Sequence, residues 1–388
     1  MRWIINLFRL DPDYNKRVFG LDLMRSLAII FVVMGHGWML NKANTGFPWI
    51  RLIDGVELFF VLSGFLIGTI LIRTFHAEAP LTARTLGSFW IRRWFRTLPN
   101  YYLILFLNVV FVYFGVIHED GSRFGWRYFL FMQNFSQPLL GFFWESWSLT
   151  IEEWFYLTFP LILAGLYLLL RNTKLGKRHI FLTAILIFLA TPFLLRATIA
   201  SKFELDQFWL DVRIQKVVIY RLDGIALGLL AAYLKYWYPA LWRKGANVAF
   251  VAGLLLNYLI LYSEWPPNNF ATKVYRPVLQ SFACFLLLPK FDGMRKAPPL
   301  VTKVFTHISL ISYSMYLINL ALVSEVIRDN FPPTGPVSAW VSYIIYWLVV
   351  LVASTLLYKY FEKPMMDLRE RFSRKTPAAV SFNGGREP

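Results

Sequence analysis

The sequence predicts an all-α polytopic membrane protein of about ten transmembrane helices with both termini in the cytoplasm. Three observations lead there. Of the 388 residues, 57% are hydrophobic and 16% charged, whereas soluble domains carry about 25% charged residues. The apolar residues come in runs of about 20, the length that crosses a bilayer. Lys and Arg alternate between connections: 27 lie in the two terminal segments and every second connection, and 11 in the others. The richer set faces the cytoplasm by the positive-inside rule. The net charge of +17 then belongs beside anionic lipid and calls for no nucleic acid.

The runs fall at 21–40, 54–73, 101–117, 147–170, 180–199, 217–236, 246–263, 272–289, 303–323 and 337–358. They divide the chain into an amphipathic cytoplasmic segment (1–20), a membrane domain (21–364) and a cytoplasmic tail without regular structure (365–388). The single Cys284 sits in apolar FACFLLL, which excludes an intrachain disulfide and makes a poor nucleophile. The five histidines, His36, His76, His118, His179 and His307, have no metal-ligand spacing, so no metal is expected. No cleavable signal peptide is expected either.

An ionisable residue inside a span costs about 2.5–3.5 kcal/mol on insertion scales, so each calls for a function or a partner. The first helix carries Arg25 near the inner headgroups and His36 eleven residues later, about 16 Å along the helix. Arg25 reads as a snorkelling anchor or a ligand for an anion. His36 reads as a core histidine or a base. The second helix enters from outside with GVELFFVLSGFLIG; its Glu57 is a helix-dipole partner or part of a site. Glu152 and Glu153 fall in the second turn of the run WSLTIEEWFYLTFP, and at 100° per residue at most one faces a site squarely. Arg221 and Asp223 lie one turn into the sixth helix, as a structural ion pair or as site residues. These side chains come from four helices near one depth, which predicts a polar pocket in the outer half of the bilayer.

The inner side differs. RRWFRTLPNYY brings Arg92, Arg93 and Arg96 just before the third run. Guanidinium groups clustered in this way suit phosphate oxygens, or are ordinary cytoplasmic charge. A basic inner mouth and an outer histidine about 16 Å away fit a long donor with an anionic head and a reactive far end, such as acyl-coenzyme A. It would be a co-substrate, with no cofactor bound permanently.

At these residues the sequence resembles the acyltransferase type 3 family of membrane O-acyltransferases. Arg25 and His36 match its Arg-x10-His signature. GVELFFVLSGFLIG, RRWFRTLPNYY, WSLTIEEWFYL, YRLDGIALG, ISYSMYLINL and YKYFEKP are similar to its later blocks in order, over roughly residues 18–364. The resemblance implies a ten-helix fold in the bacterial inner membrane. It also implies transfer of an acyl group, acetyl or succinyl, from cytoplasmic acyl-CoA to a carbohydrate or other envelope hydroxyl. By the same resemblance His36 is the essential histidine, Arg25 its donor-side partner, Arg93 and Arg96 donor ligands beside Arg92, and Glu152 or Glu153 a neighbour of the reaction centre. The ninth-helix motif often ends in His where this chain has Asn319, so no titrating group is expected there. The family's frequent hydrolase domain after the membrane part is absent from this sequence, so transfer is expected to be direct or to pass through a separate protein.

In the expected reaction His36, oriented by Glu57 or by Glu152 or Glu153, takes the proton of an acceptor hydroxyl that attacks the thioester. An acyl-histidine intermediate is the variant. Arg221, Asp223, Trp147 and Asn319 lie on the acceptor or oxyanion side. The aromatic stretch 124–147 either stacks on a sugar or forms an interfacial belt. Two competing classes use the same residues differently: a transporter or flippase of a lipid-linked or soluble glycan, and a membrane scaffold without chemistry.

Overall fold

The computed structural model describes residues 8, 10–40, 53–77 and 81–372. Most of the expected surface segment 1–20 lies outside them; its described part holds a short 3-10 turn, Tyr14–Lys16. Numbering the longer helices, the chain runs α1 Phe19–Trp38, α2 Gly55–Ala77, α3 Ala83–Tyr113, α4 Ser146–Leu170, α5 Lys177–Ile199, α6 Asp223–Trp237, α7 Ala246–Tyr262, α8 Phe270–Gly293, α9 Pro299–Ile318, α10 Pro336–Leu357 and α11 Lys363–Phe372. No strand occurs among the described residues. Among the described residues, seven helical rods are long and apolar enough to cross a membrane by length and composition: α1 to α5, the rod from Pro299 to Asn330 and the rod from Pro336 to Phe372. The protein is an all-helical, multi-pass membrane protein. Each of the ten expected runs falls on a helix.

Three boundaries differ from the sequence reading. Helix α3 starts at Ala83, almost twenty residues before the apolar run, because the Thr82 hydroxyl caps it by accepting from the Thr85 N–H at 3.2 Å. The arginine-rich stretch is therefore helical, and Pro99 lies within the helix. Helix α6 begins only at Asp223, after a 3-10 turn at Val218–Tyr220. Arg221 thus sits on the connection rather than one turn into a helix. The segment expected to be an irregular tail is helical through Phe372; its residues 373–388 lie outside the described ones. Helix α11 docks because Met366 packs against the core and Phe372 stacks on Phe95 of α3 at 5.4 Å.

The helices close around two apolar cores. One gathers α2, α4, α5, α6 and α8; the other gathers α1, α3, α9, α10 and the connection between α3 and α4. Helices α2 and α6 cross with their backbones in contact. A side chain at Gly64 would strike the Ile225 carbonyl, and one at Gly228 the Val61 carbonyl. Small residues permit this approach in a bilayer, where packing rather than hydrophobicity drives helix association.

Much of the aromatic outer stretch is neither belt nor sugar platform. Phe142, Phe143, Tyr128 and Phe131 are buried, and Tyr101 of α3 meets Phe131 and Phe143 at ring distances of 4.4 and 5.6 Å. Phe131 and Phe143 take positive φ of 55° and 46°, a conformation that costs a non-glycine residue energy and persists only where packing holds it. Trp126 and Phe129 remain exposed.

Candidate active site

Helix α1 supplies the axis of the site. Arg25 and His36 are eleven residues apart, close to three full turns, so both project from the same side of the helix. Asp22, in the first turn of α1, accepts from Arg17 Nε at 2.7 Å and Nη2 at 2.5 Å and from Ser309 Oγ at 2.9 Å. Ser26 Oγ donates to the Phe305 carbonyl at 2.6 Å. These bonds fix α1 against α9. They also occupy Asp22, the acid nearest Arg25 in sequence, with another arginine.

Arg25 lines a narrow cavity together with Arg93, Arg96, Ser63, Glu152, Tyr156, Ser148, Tyr313 and Tyr316. Its volume is about 90 Å³, room for roughly three waters or a thin chain. Among the described residues, none of these three arginines forms an ion pair; Asp22 pairs with Arg17, and Glu152 shares the cavity with them. The Arg93 guanidinium lies 6.0 Å from the Phe89 and Tyr156 rings. Glu152 accepts from Ser63 Oγ at 3.1 Å and from the Tyr156 hydroxyl at 2.8 Å. Three guanidinium groups gathered around one carboxylate leave positive charge in excess, which suits an anion.

Of the glutamate pair, Glu152 faces this cavity. Glu153 turns away and accepts from Thr97 Oγ1 at 2.6 Å, as their 100° offset requires. Arg92 lies outside the cavity lining, on the side of α3 where α11 docks. Glu362, Met366, Arg369 and Phe372 recur on one face of that rod. Glu362 accepts from Asn100 of α3 at 2.9 Å, and Phe372 reaches Phe95. Arg369 is thereby brought near enough to Arg92 and Arg96 to act on them electrostatically.

The carboxylates Glu57 and Asp223, expected beside His36, do not join it. Glu57 accepts from Arg221 Nη2 and, at 2.5 Å, from Ser281 Oγ of α8. Asp223 accepts from Arg196 of α5 at 2.6 Å; both partners are almost wholly buried. The expected outer pocket thus resolves into a pair of ionic clamps on one side and a histidine on the other. Composition concealed Arg196, which the charge alternation assigns to a loop, although it interrupts an apolar helical run. His36 instead meets Asn319, with Nδ1 2.6 Å from Oδ1. Trp147 packs edge-on against Phe60 at 5.9 Å, and Lys216 Nζ sits 5.7 Å from its ring.

Cavity and histidine are close along α9. Ser148 and Tyr316 lie 2.5 Å apart in the cavity wall, and Asn319 follows Tyr316 by three residues, about 4.5 Å of rise. The arrangement is that of a membrane protein with an arginine-lined cavity between α1, α3 and α4; His36 is not among the residues that line it, and lies beyond Tyr316 along α9. The acyltransferase type 3 model, an acyltransferase domain, matches residues 18–359, and the chain belongs to that family of acyltransferases. The O-acetyltransferase OatA of Staphylococcus aureus (strain NCTC 8325 / PS 47) is 27% identical over 400 residues, 92% of this chain and 58% of its own. A Staphylococcus aureus (strain COL) protein named as a candidate O-acetyltransferase is 27% identical over 383 residues, 89% of this chain and 56% of its own. A Bacillus subtilis (strain 168) protein named as a candidate peptidoglycan O-acetyltransferase is 32% identical over 179 residues, 42% of this chain and 26% of its own. The chain spans about half the length of the two staphylococcal relatives and a quarter of the Bacillus one.

Proposed function

We propose that the chain is a membrane O-acyltransferase that moves an acyl group, acetyl first and succinyl second, from cytoplasmic acyl-CoA to a hydroxyl of a cell-envelope carbohydrate. One observation carries the reading: Arg25, Arg93 and Arg96 line a single cavity in which Glu152 is the one acid among the described residues, and Arg25 shares a face of α1 with His36. The names of the relatives support acetyl and a glycan acceptor. All ten long helices from α1 to α10 cross the bilayer in this reading, both termini are cytoplasmic, and the membrane is the bacterial inner membrane.

The donor's phosphates bind at the arginine end, and its thin arm runs along the cavity toward Tyr316. His36 Nε2 takes the proton of the acceptor hydroxyl as its oxygen bonds to the thioester carbonyl carbon. When the C–S bond breaks, the electron pair leaves on sulfur, which recovers the proton from the imidazolium. Glu57 and Arg221 satisfy each other, so they hold α2, α6 and α8 together rather than touch the reacting atoms. Glu152, on the cavity wall, orients Tyr156 and Ser63.

The test uses purified protein in detergent with radiolabelled acetyl-CoA and peptidoglycan or other envelope glycans. His36→Ala is expected to lower transfer by about 10²–10⁴-fold, the usual worth of a general base, with an unchanged elution profile and melt. Undiminished turnover in that folded variant refutes the assignment. Movement of glycan across vesicles with no acylated product would establish the transport alternative.

A further inference from the structure

Asn319 stands at the point where α9 widens into a π-helical turn, Asn319–Glu325, and it is fully buried. Its side-chain Nδ2 donates to the carbonyls of Met315 at 2.9 Å and Tyr316 at 2.7 Å. Both amide hydrogens are then in use. Turning the amide over would set Oδ1 against two carbonyl oxygens, all three of them acceptors. Oδ1 therefore faces His36 Nδ1, at 2.6 Å. The Tyr346 hydroxyl closes the other side of Oδ1 at 3.4 Å and has a nearer acceptor in the Val33 carbonyl at 2.9 Å. Lys216 is the charged side chain that acts on the ring from the outer loop.

An oxygen that can only accept demands a hydrogen on the nitrogen opposite, and a neutral imidazole carries one. We propose that Asn319 is a positioning residue which locks His36 in the Nδ1–H tautomer, leaving the Nε2 lone pair as the proton acceptor. This rests on the reading of His36 as the base. The amide is suited to the task because it does not titrate near neutral pH. A second imidazole at this position could donate or accept, and would leave the tautomer open. A carboxylate would accept equally well but would bring a charge and lose the two bonds that fix its own orientation.

Full-length protein labelled with ¹⁵N-histidine in lipid nanodiscs reads the tautomer without turnover. The His36 signals are identified by their absence from His36→Gln. In the wild type Nε2 is expected as a bare nitrogen and Nδ1 as N–H; in Asn319→Leu the two tautomers mix. An Nε2–H signal in the wild type, or an unchanged tautomer in Asn319→Leu, overturns the proposal. In acetyl transfer, Asn319→Leu is expected to lower kcat about two- to tenfold at unchanged donor KM, in proportion to the fraction that presents a protonated nitrogen to the acceptor. Active His36→Ala beside the expected wild-type spectrum would refute the base and leave the ring lock standing.

Discussion

A glutamate buried between helices is tolerated when a cation and hydrogen-bond donors meet it, and Glu57 has Arg221 and Ser281. Removing one partner strands the other charge, at about 3–5 kcal/mol. Glu57→Ala is therefore expected to lower the melting temperature in detergent markedly, and Asp223→Ala to do the same by stranding Arg196. An unchanged melt with lost transfer would return Glu57 to the chemistry. Outside the helices, half-buried Glu119 accepts from the Phe143 N–H at 2.8 Å, yet desolvation raises its pKa from 4.5 to about 7. A raised carboxyl pKa means the folded loop binds more protons than the unfolded chain between those values. Its contribution to stability is full below the lower value and is lost as pH rises through the upper. Melts at pH 5 and pH 8 should differ by less in Glu119→Gln than in the wild type; an equal difference would exclude this carboxyl as the source.

Among elements, the α2–α6 crossing and the docking of α11 decide the most. Gly64 and Gly228 bring two backbones together, and that crossing aligns Glu57 with Arg221. Gly228→Leu is expected to abolish the monodisperse peak in size-exclusion chromatography, since the backbone it meets cannot yield; a normal peak would mean that the helices can separate. Helix α11 carries Arg369 to the Arg92–Arg96 side of α3. Arg369→Ala is expected to raise the KM for acetyl-CoA by up to about tenfold, the loss of one charge-assisted contact, with kcat unchanged. An unaltered KM would leave α11 a purely structural brace. Position 369 lies where composition reads as tail; only its seven-residue spacing from Glu362 and three-residue spacing from Met366 and Phe372 signals a helical face.

At the scale of the whole molecule, charge decides orientation and packing decides where the cavity lies. With Cys284 replaced by Ala, a single cysteine at Ser263 should react with a membrane-impermeant maleimide in intact cells, and one at Thr173 should not. Both positions are exposed on turns between helices, and the reverse pattern would invert the assigned topology. The helices were legible because apolar runs of span length have few alternatives in a bilayer. The Arg25–His36 relation was legible too, because both lie on one helix and its geometry sets their separation and shared face.

Partners on different helices were another matter. Residue types and depth grouped His36 with Glu57, Glu152 and Glu153, but depth says nothing of direction around the bundle. The helix rotations send Glu57 to Arg221, Glu152 to the arginine cavity and Glu153 to Thr97. From its residues alone the chain was bound to become a multi-pass helical bundle with a basic inner edge and a histidine far along its first helix. That Asn319 meets this histidine, that Arg196 holds Asp223 and that three arginines gather around one cavity depended on how rods distant in sequence pack. Such contacts arise from interlocking side-chain shapes, which no local periodicity encodes.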